Sequence, residues 1–195
     1  PYARYNETVA SVSDTLHSAA VWLSGLSDAA EARAELNRRL PAGAARNALD
    51  CALWDLQAKC SGERVWALLA QSAPKPLTTA YTISVDRPEA MAESAAEQAH
   101  RPLLKIKLAG DDDAARIAAV HRAAPKASLL LDANESWTPD IYDRLTPALG
   151  DWPVTAIEQP FPARHDAWHD GRPRPVPVIA DESVHDRQHL SPLSG

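Results

Sequence analysis

What limits the fold of this chain most is the regular return of charged residues at the ends of apolar, strand-like runs. The segments are Lys105-Ile106-Lys107, Leu131-Asp132-Ala133-Asn134, Ile157-Glu158-Gln159-Pro160 and Ala180-Asp181-Glu182-Ser183. Lys107 and Asp132 are 25 residues apart, Asp132 and Glu158 are 26 apart, and Glu158 and Asp181 are 23 apart. Each step is the length of one strand plus one returning helix. A repeated βα unit with chemistry at the C-terminal end of each strand is the plan of a (β/α)₈ barrel. The expected fold class is α/β: part of a TIM-type barrel, with about five βα units.

The pattern around these segments agrees. Strands are predicted over 77–85, 103–109, 128–133, 154–158 and 177–181. They are continuous apolar runs, as strands covered on both faces require. Helices are predicted over 88–100, 112–124 and 139–150, followed by a proline-rich, weakly helical stretch over 162–176. Right-handed crossovers make such an alternation a parallel sheet. The first third reads as helix instead. Ser11 to Leu23 carries an apolar stripe, and Ser27-Asp28 opens a second helix that Pro41 ends. In Ala42 to Lys59, the residues Ala45, Ala48, Leu49, Ala52, Leu53 and Leu56 have the spacing of a buried helical face. A short turn covers Val65 to Ala70, and Pro74-Lys75-Pro76 reads as a linker. Two domains are expected, a helical one over 1–74 and the first half of a barrel over 75–195.

Composition narrows the partners. The net charge is −6 over 195 residues, with no basic cluster, which argues against nucleic acid and against an anionic membrane surface. The apolar runs are far short of a membrane span. A complete barrel takes roughly 250 residues, and Pro1-Tyr2-Ala3-Arg4 resembles neither a signal peptide nor a natural start. A piece of a longer cytoplasmic protein is therefore expected. Cys51 and Cys60 lie on opposite faces of one helix and read as buried, reduced thiols. Homo-oligomerisation is left open.

The candidate site follows from side-chain alternation. Lys105 and Lys107 share one strand face. Each ammonium opposes the other's charge, which is expected to lower the lysine pKa and to suit one of them to act as a base. Asp132, Glu158 and Asp181 follow on the next three strands. Neighbouring strands are about 4.8 Å apart, so three strand-end carboxylates can converge on one ion. A hard oxygen set without thiolate favours Mg²⁺, with Mn²⁺ as the alternative. Asn134 shares the face of Asp132 and could reach metal or substrate, or serve only a loop. Glu135 and Glu182 are expected to point away from that face. Asp111-Asp112-Asp113 reads as a solvated helix start, and Trp137 and Trp152 as covers for helices. The pairs His165/His169 and His185/His189 have metal-compatible spacing, but with no third ligand nearby they read as surface histidines.

These segments resemble the enolase superfamily in its muconate-lactonizing subgroup, in which KxK ends the second barrel strand and Asp, Glu and Asp end the third, fourth and fifth. Leu40 to Leu56, Asp132-Ala133-Asn134-Glu135-Ser136-Trp137 and Ala180-Asp181-Glu182-Ser183 are similar to the bacterial L-Ala-D/L-Glu epimerases within it. The resemblance implies Lys107 as an acid/base, Lys105 as its electrostatic partner, and Asp132, Glu158 and Asp181 as Mg²⁺ ligands. It implies Thr82 as a contact to a dipeptide, and 1–74 as the helical part of an α+β capping domain. It implies α-proton transfer in murein peptide recycling, with muconate cycloisomerase or o-succinylbenzoate synthase chemistry as the alternative. It also places a second catalytic lysine on a sixth strand, past Gly195. On that reading the chain alone is inactive, and a non-catalytic fragment or scaffold is the alternative of another class.

Overall fold

Capping residues and prolines set the helix ends. The structure, a computed structural model, describes residues 3–191 and Leu193. Residues Pro1–Pro76 form one compact unit and Leu77–Gly195 a second. In the first, the Thr8 hydroxyl accepts from the Ser11 N–H and the Ser11 hydroxyl from the Thr8 N–H. This reciprocal cap opens α1 (Val9–Leu23). The Asp28 carboxylate accepts from the N–H groups of Ala30 and Glu31 and opens α2 (Ala29–Arg39). Helix α3 (Ala44–Ser61) begins after Gly43, which has no side chain to cap it. Glu7 supplies the acceptor instead, 2.7 Å from the Ala44 nitrogen. Gly62, at φ 72°, ends α3, and α4 (Val65–Leu68) follows.

The buried stripe expected on α3 is not formed. Of its six residues only Ala45 is buried, and Leu56 is 50% exposed. Helix α2 packs instead on the neighbouring side of α3. There the Arg33 guanidinium lies 3.6 Å from the Trp54 ring centre and bonds Gln57. The period is helical as expected, but α2 covers a different face. Cys51 and Cys60 are exposed free thiols, which corrects their expected burial.

In the second unit the elements are β1 (Tyr81–Ile83), α5 (Pro88–Glu97), β2 (Leu103–Lys107), α6 (Asp113–Ala123), β3 (Ser128–Asp132), α7 (Pro139–Leu145), β4 (Val154–Glu158) and β5 (Val178–Ile179). The sheet order is β1-β2-β3-β4-β5 and every pairing is parallel. Pro88 and Pro139 occupy first-turn positions, where a missing N–H costs nothing. The expected helix over 139–150 divides at Thr146-Pro147 into α7 and a 3₁₀ turn, Thr146–Asp151. Over 162–176 only Asp166–His169 turns helically, because Pro162, Pro173 and Pro175 withhold the N–H donors a helix needs. Strands β1 and β5 pair over three and two residues, shorter than expected.

Register separates the two faces of the sheet. Residues paired between parallel strands point the same way, so Lys105 aligns with Thr82 and Leu130, and Lys107 aligns with Asp132, Glu158 and Ile179. The alternate residues Ile83, Leu104, Ile106, Leu129, Leu131 and Ile157 face the helices. They are buried against Met91, Ile117, Val120 and Tyr142. Each such side chain contributes roughly 1.5–3 kcal/mol relative to exposure. That core fixes the strands, and the strands carry the charged residues on their other face.

Candidate active site

The charged residues of the inner face form a closed set of ion pairs at the C-terminal ends of β2, β3 and β4. The Lys105 ammonium lies 2.8 Å from Asp132 Oδ2 and 2.8 Å from both oxygens of Glu158. The Lys107 ammonium lies 2.6 Å from the same Asp132 oxygen and 2.8 Å from Asn134 Oδ1. The other Asp132 oxygen accepts from the Asn134 N–H at 3.1 Å. Two ammoniums and two carboxylates leave the set without net charge. Asp132, wholly buried, is its centre.

Electrostatics differ from the sequence expectation at Lys105. Burial opposes its charge, but the carboxylates of Asp132 and Glu158 outweigh burial and hold its pKa above the ordinary lysine value. At Lys105 the like-charge effect of a KxK pair is overridden by two acids within 3 Å. For Asp132, burial alone would raise the pKa. The two ammoniums reverse that and hold the carboxyl below the usual carboxylate range.

Asp181 stands apart. It is two residues beyond Ile179, the register partner of Glu158 and the last residue of β5, so it lies past the end of the sheet. Among the described residues no three His, Cys, Asp or Glu side chains are gathered as a ligand cluster. The lysines hold Asp132 and Glu158, while Asp181 is exposed. The donors nonetheless fit a hard divalent cation. Asp132 and Glu158 share one face at two neighbouring strand ends and Asp181 follows the next strand by two residues, with no thiolate among them. Such a cation would compete with the two ammoniums for the same oxygens. Thr82 lies on the same face beside Lys105 and is exposed.

The loops around the set are tied to one another. After β3, Asn134 and Glu135 both take positive φ, 42° and 66°. This tight turn aims Asn134 back at Lys107. The Glu135 N–H donates to the Gln159 carbonyl and the Trp137 N–H to the Pro160 carbonyl, fastening the loop after β3 to the loop after β4. The Glu135 carboxylate accepts from the Ala163 N–H at 2.7 Å. Glu182, expected to face away, instead accepts from Asn134 Nδ2 at 3.2 Å. Strand β5 has ended by then, so strand alternation no longer governs where Glu182 points.

Two residues escaped the sequence reading. Asp113 is wholly buried rather than solvated. Its carboxylate accepts from the N–H groups of Ala109 and Gly110 at 3.0 and 2.8 Å, from Trp137 Nε1 at 2.7 Å and from Arg116 at 2.9 Å. Gly110 holds φ 117°, which suits glycine, and completes the turn that carries the chain away from Lys107. The second is Gln159, 2% exposed, whose side-chain amide bonds the loop after β5. A buried Trp N–H requires an acceptor, and that was the available signal for Asp113. Nothing in the sequence distinguished Gln159 from an ordinary loop residue. Of the histidines, the His169 ring packs between Tyr142 and Phe161, with centroids 5.6 and 4.5 Å away. His165 packs edge-on to Trp168, and His185 to His189.

Comparison with known proteins gives a consistent set of matches. Residues 89–194 match the "Enolase C-terminal domain-like" family. Residues 6–70 match the "Mandelate racemase / muconate lactonizing enzyme, N-terminal domain" family. The L-Ala-D/L-Glu epimerase of Escherichia coli (strain K12) is 42% identical over 198 residues, covering 100% of this chain and 60% of that protein. The N-acetyl-D-glutamate racemase of a Pseudoalteromonas species is 40% identical over 195 residues, covering 100% of this chain and 61% of that protein. An enolase family member from Agrobacterium tumefaciens, with homology to dipeptide epimerases and solved with sodium and L-Ala-L-Glu, superposes with a TM-score of 0.88 at 44% identity. That match covers 98% of this chain and 57% of the other. The dipeptide epimerase of Enterococcus faecalis V583, solved with Mg and L-Leu-L-Tyr, gives a TM-score of 0.82 at 26% identity over 94% of this chain and 55% of the other. The chain thus spans about 60% of the length of these curated relatives, and its five parallel strands correspond to part of a (β/α)₈ barrel. Among the described residues no helix is long and apolar enough to cross a membrane.

Proposed function

The chain belongs to the enolase superfamily, with that superfamily's mandelate racemase/muconate lactonizing pair of domains, and from that membership we propose that its full-length parent is a Mg²⁺-dependent epimerase of a dipeptide of the L-Ala-D/L-Glu type. The observation that carries this is the Lys105–Lys107–Asp132–Glu158 set, with contacts of 2.6 to 2.8 Å at three successive strand ends. On this reading residues 1–74 are the helical part of a capping domain and 75–195 the first half of the barrel. The role is murein peptide recycling in the cytoplasm, and Mn²⁺ could replace Mg²⁺.

A proton α to a carboxylate is weakly acidic, so its removal needs a placed base and a way to hold the negative charge that develops. Lys107, one-third exposed at its side chain, is the group that faces substrate and exchanges the proton. Lys105, held between Asp132 and Glu158, stays charged and lies where the substrate carboxylate takes on negative charge. Asp132, Glu158 and Asp181 would hold the cation, and Thr82 and Asn134 would contact the substrate. When bound, the cation supplies positive charge to the carboxylate end of the substrate. Inversion at carbon requires a base on each face. The only other lysine after residue 76 is Lys126, which precedes β3 and so lies at the opposite end of the strands. The 195-residue chain alone is therefore expected to leave the dipeptide unepimerised.

The test is to incubate the full-length parent with L-Ala-L-Glu and Mg²⁺ in D₂O. Deuterium entering the Glu α-position together with the D-epimer supports the reading, and absence of both overturns it. A second reading is favoured by the 40% identity to an N-acetyl-D-glutamate racemase. Both substrates are N-acylated glutamates, so running N-acetyl-D-glutamate beside the dipeptide decides between them by kcat/KM.

A further inference from the structure

Gln159 makes hydrogen bonds that reach all three of the loops that carry Asp132, Glu158 and Asp181. It directly follows Glu158 and is buried to 2% exposure. Its φ is 35°, an uncommon conformation for a residue with a β-carbon, which persists only when the surroundings hold it. Its main chain works outward in both directions. The N–H donates to the Ile179 carbonyl on β5 at 2.8 Å, and the carbonyl accepts from the Glu135 N–H after β3 at 2.8 Å. Its side chain reaches further. Oε1 accepts from the Asp181 N–H at 2.9 Å and the Ser183 N–H at 3.1 Å. Nε2 donates to the Phe161 carbonyl at 2.8 Å and to Ser183 Oγ at 2.9 Å. The Ser183 hydroxyl in turn donates to Asp166 at 2.8 Å.

Both lone pairs and both N–H groups of the amide are therefore used, in a place water does not reach. A fully satisfied buried amide specifies one arrangement of its neighbours, since any other leaves polar groups unpaired. The arrangement it specifies matters for Asp181. Strand β5 is paired over only two residues and ends at Ile179. The sheet itself does not hold Asp181. The N–H of Asp181 is held by the Gln159 side chain.

We infer that Gln159 is a positioning residue that fixes the Asp181 loop against Glu158 and thereby sets the affinity of the site for its divalent cation. The inference rests on the proposed function, which makes Asp181 a ligand. Outer partners that hold a ligand in place contribute about 10- to 100-fold to metal affinity, and Gln159 would act at that level without touching the cation.

The test measures Mg²⁺ binding by calorimetry on the full-length parent, with its Gln159→Met, Ser183→Ala and Tyr142→Phe variants, and the thermal midpoint of each metal-free form. Gln159→Met keeps the length of the side chain and removes all four hydrogen bonds. It is expected to raise the Mg²⁺ Kd about 10- to 100-fold. Ser183→Ala removes the bond from Gln159 Nε2 and the bond to Asp166, of which the first belongs to the clamp, and is expected to raise Kd by about three- to tenfold, the equivalent of that one hydrogen bond. It also serves if Gln159→Met does not fold. Tyr142→Phe loses the hydroxyl bond to the Pro173 carbonyl, away from the strand ends. It should lower the midpoint and leave Kd within twofold. If the clamp variants lower only the midpoint, as Tyr142→Phe does, Gln159 is merely structural and the inference fails alone. If the unaltered parent binds no Mg²⁺, the proposed function fails and the inference with it.

Discussion

The two faces of one sheet are held in different ways. On the helix side Leu104, Ile106, Leu129, Leu131 and Ile157 are wholly buried and need no particular partner beyond close packing. One residue along the same strands, Lys105, Lys107, Asp132 and Glu158 depend on named partners at 2.6 to 2.8 Å. An apolar face tolerates substitution in proportion to the volume lost. A charged face tolerates it only in matched sets, because removing one member leaves another charge partly desolvated. The charged residues are therefore placed where the fold is least able to absorb change, and the apolar face holds them there.

The largest expected stability effect tests that contrast directly. Asp132→Ala leaves Lys107 with only the Asn134 oxygen and should cost about 3–5 kcal/mol in urea unfolding. Ile106→Ala, on the other face, should cost about 2–5 kcal/mol through its cavity. The distinction lies in rescue. Adding Lys107→Met to Asp132→Leu should recover part of the loss, because both partners of the pair are then apolar. A cost below about 1 kcal/mol for Asp132→Ala would show that the inner-face pairs behave as surface ion pairs and would remove the contrast.

A smaller effect is expected where the two faces join. Trp137 packs its ring edge-on to Tyr142 in the core and donates its N–H to Asp113. Through Ala109 and Gly110 that carboxylate holds the turn after Lys107. Trp137→Phe keeps an aromatic ring beside Tyr142 but opens a small cavity and leaves Asp113 one donor short; the lost donor alone should cost about 1–3 kcal/mol. Trp137→Phe combined with Asp113→Ala should cost less than the two single costs added. Strict additivity would show that the two side chains do not act as one clamp.

What the sequence made legible follows the same division. The strands, their order and the charged residues at their ends were readable because a charge after an apolar run stands out from its surroundings. Lys105, Lys107, Asp132 and Glu158 could be placed on one face by counting alone. The residues that hold the loops could not. Asp113 is the third of three consecutive aspartates, and nothing local separates the buried one from Asp111, whose side chain is 87% exposed. Gln159 follows the strand in a Gln-Pro pair that reads as an ordinary turn. Its importance comes from Asp181 and Ser183, more than twenty residues later. The stripe on α3 failed for a related reason. Periodicity gives the faces of a helix, but the face that α2 covers depends on where the turn at Leu40-Pro41 leads the chain.

The smallest expected effect concerns a polar group on the apolar side. His169 packs between Tyr142 and Phe161, and its Nδ1 is buried with no hydrogen-bond partner among the described residues. Burial holds its pKa below the ordinary histidine value. Arg174 and Arg172 add to that shift, and Asp166 and Asp170 oppose it. Well above the ordinary histidine value of 6.5, neither the folded nor the unfolded chain protonates this ring, and it leaves no pH dependence. As pH falls below that value the unfolded chain takes up a proton that the folded chain refuses, so stability declines until the lower folded pKa is passed, after which the difference is constant. His169→Leu should remove this part of the decline while leaving stability at pH 8 little changed, because the neutral ring already behaves as an apolar group there. Urea unfolding of the parent and the variant between pH 8 and pH 5 makes the comparison. An unchanged slope would mean that the ring finds a proton acceptor on folding, and that the helix side of the sheet tolerates charge as readily as the inner face does.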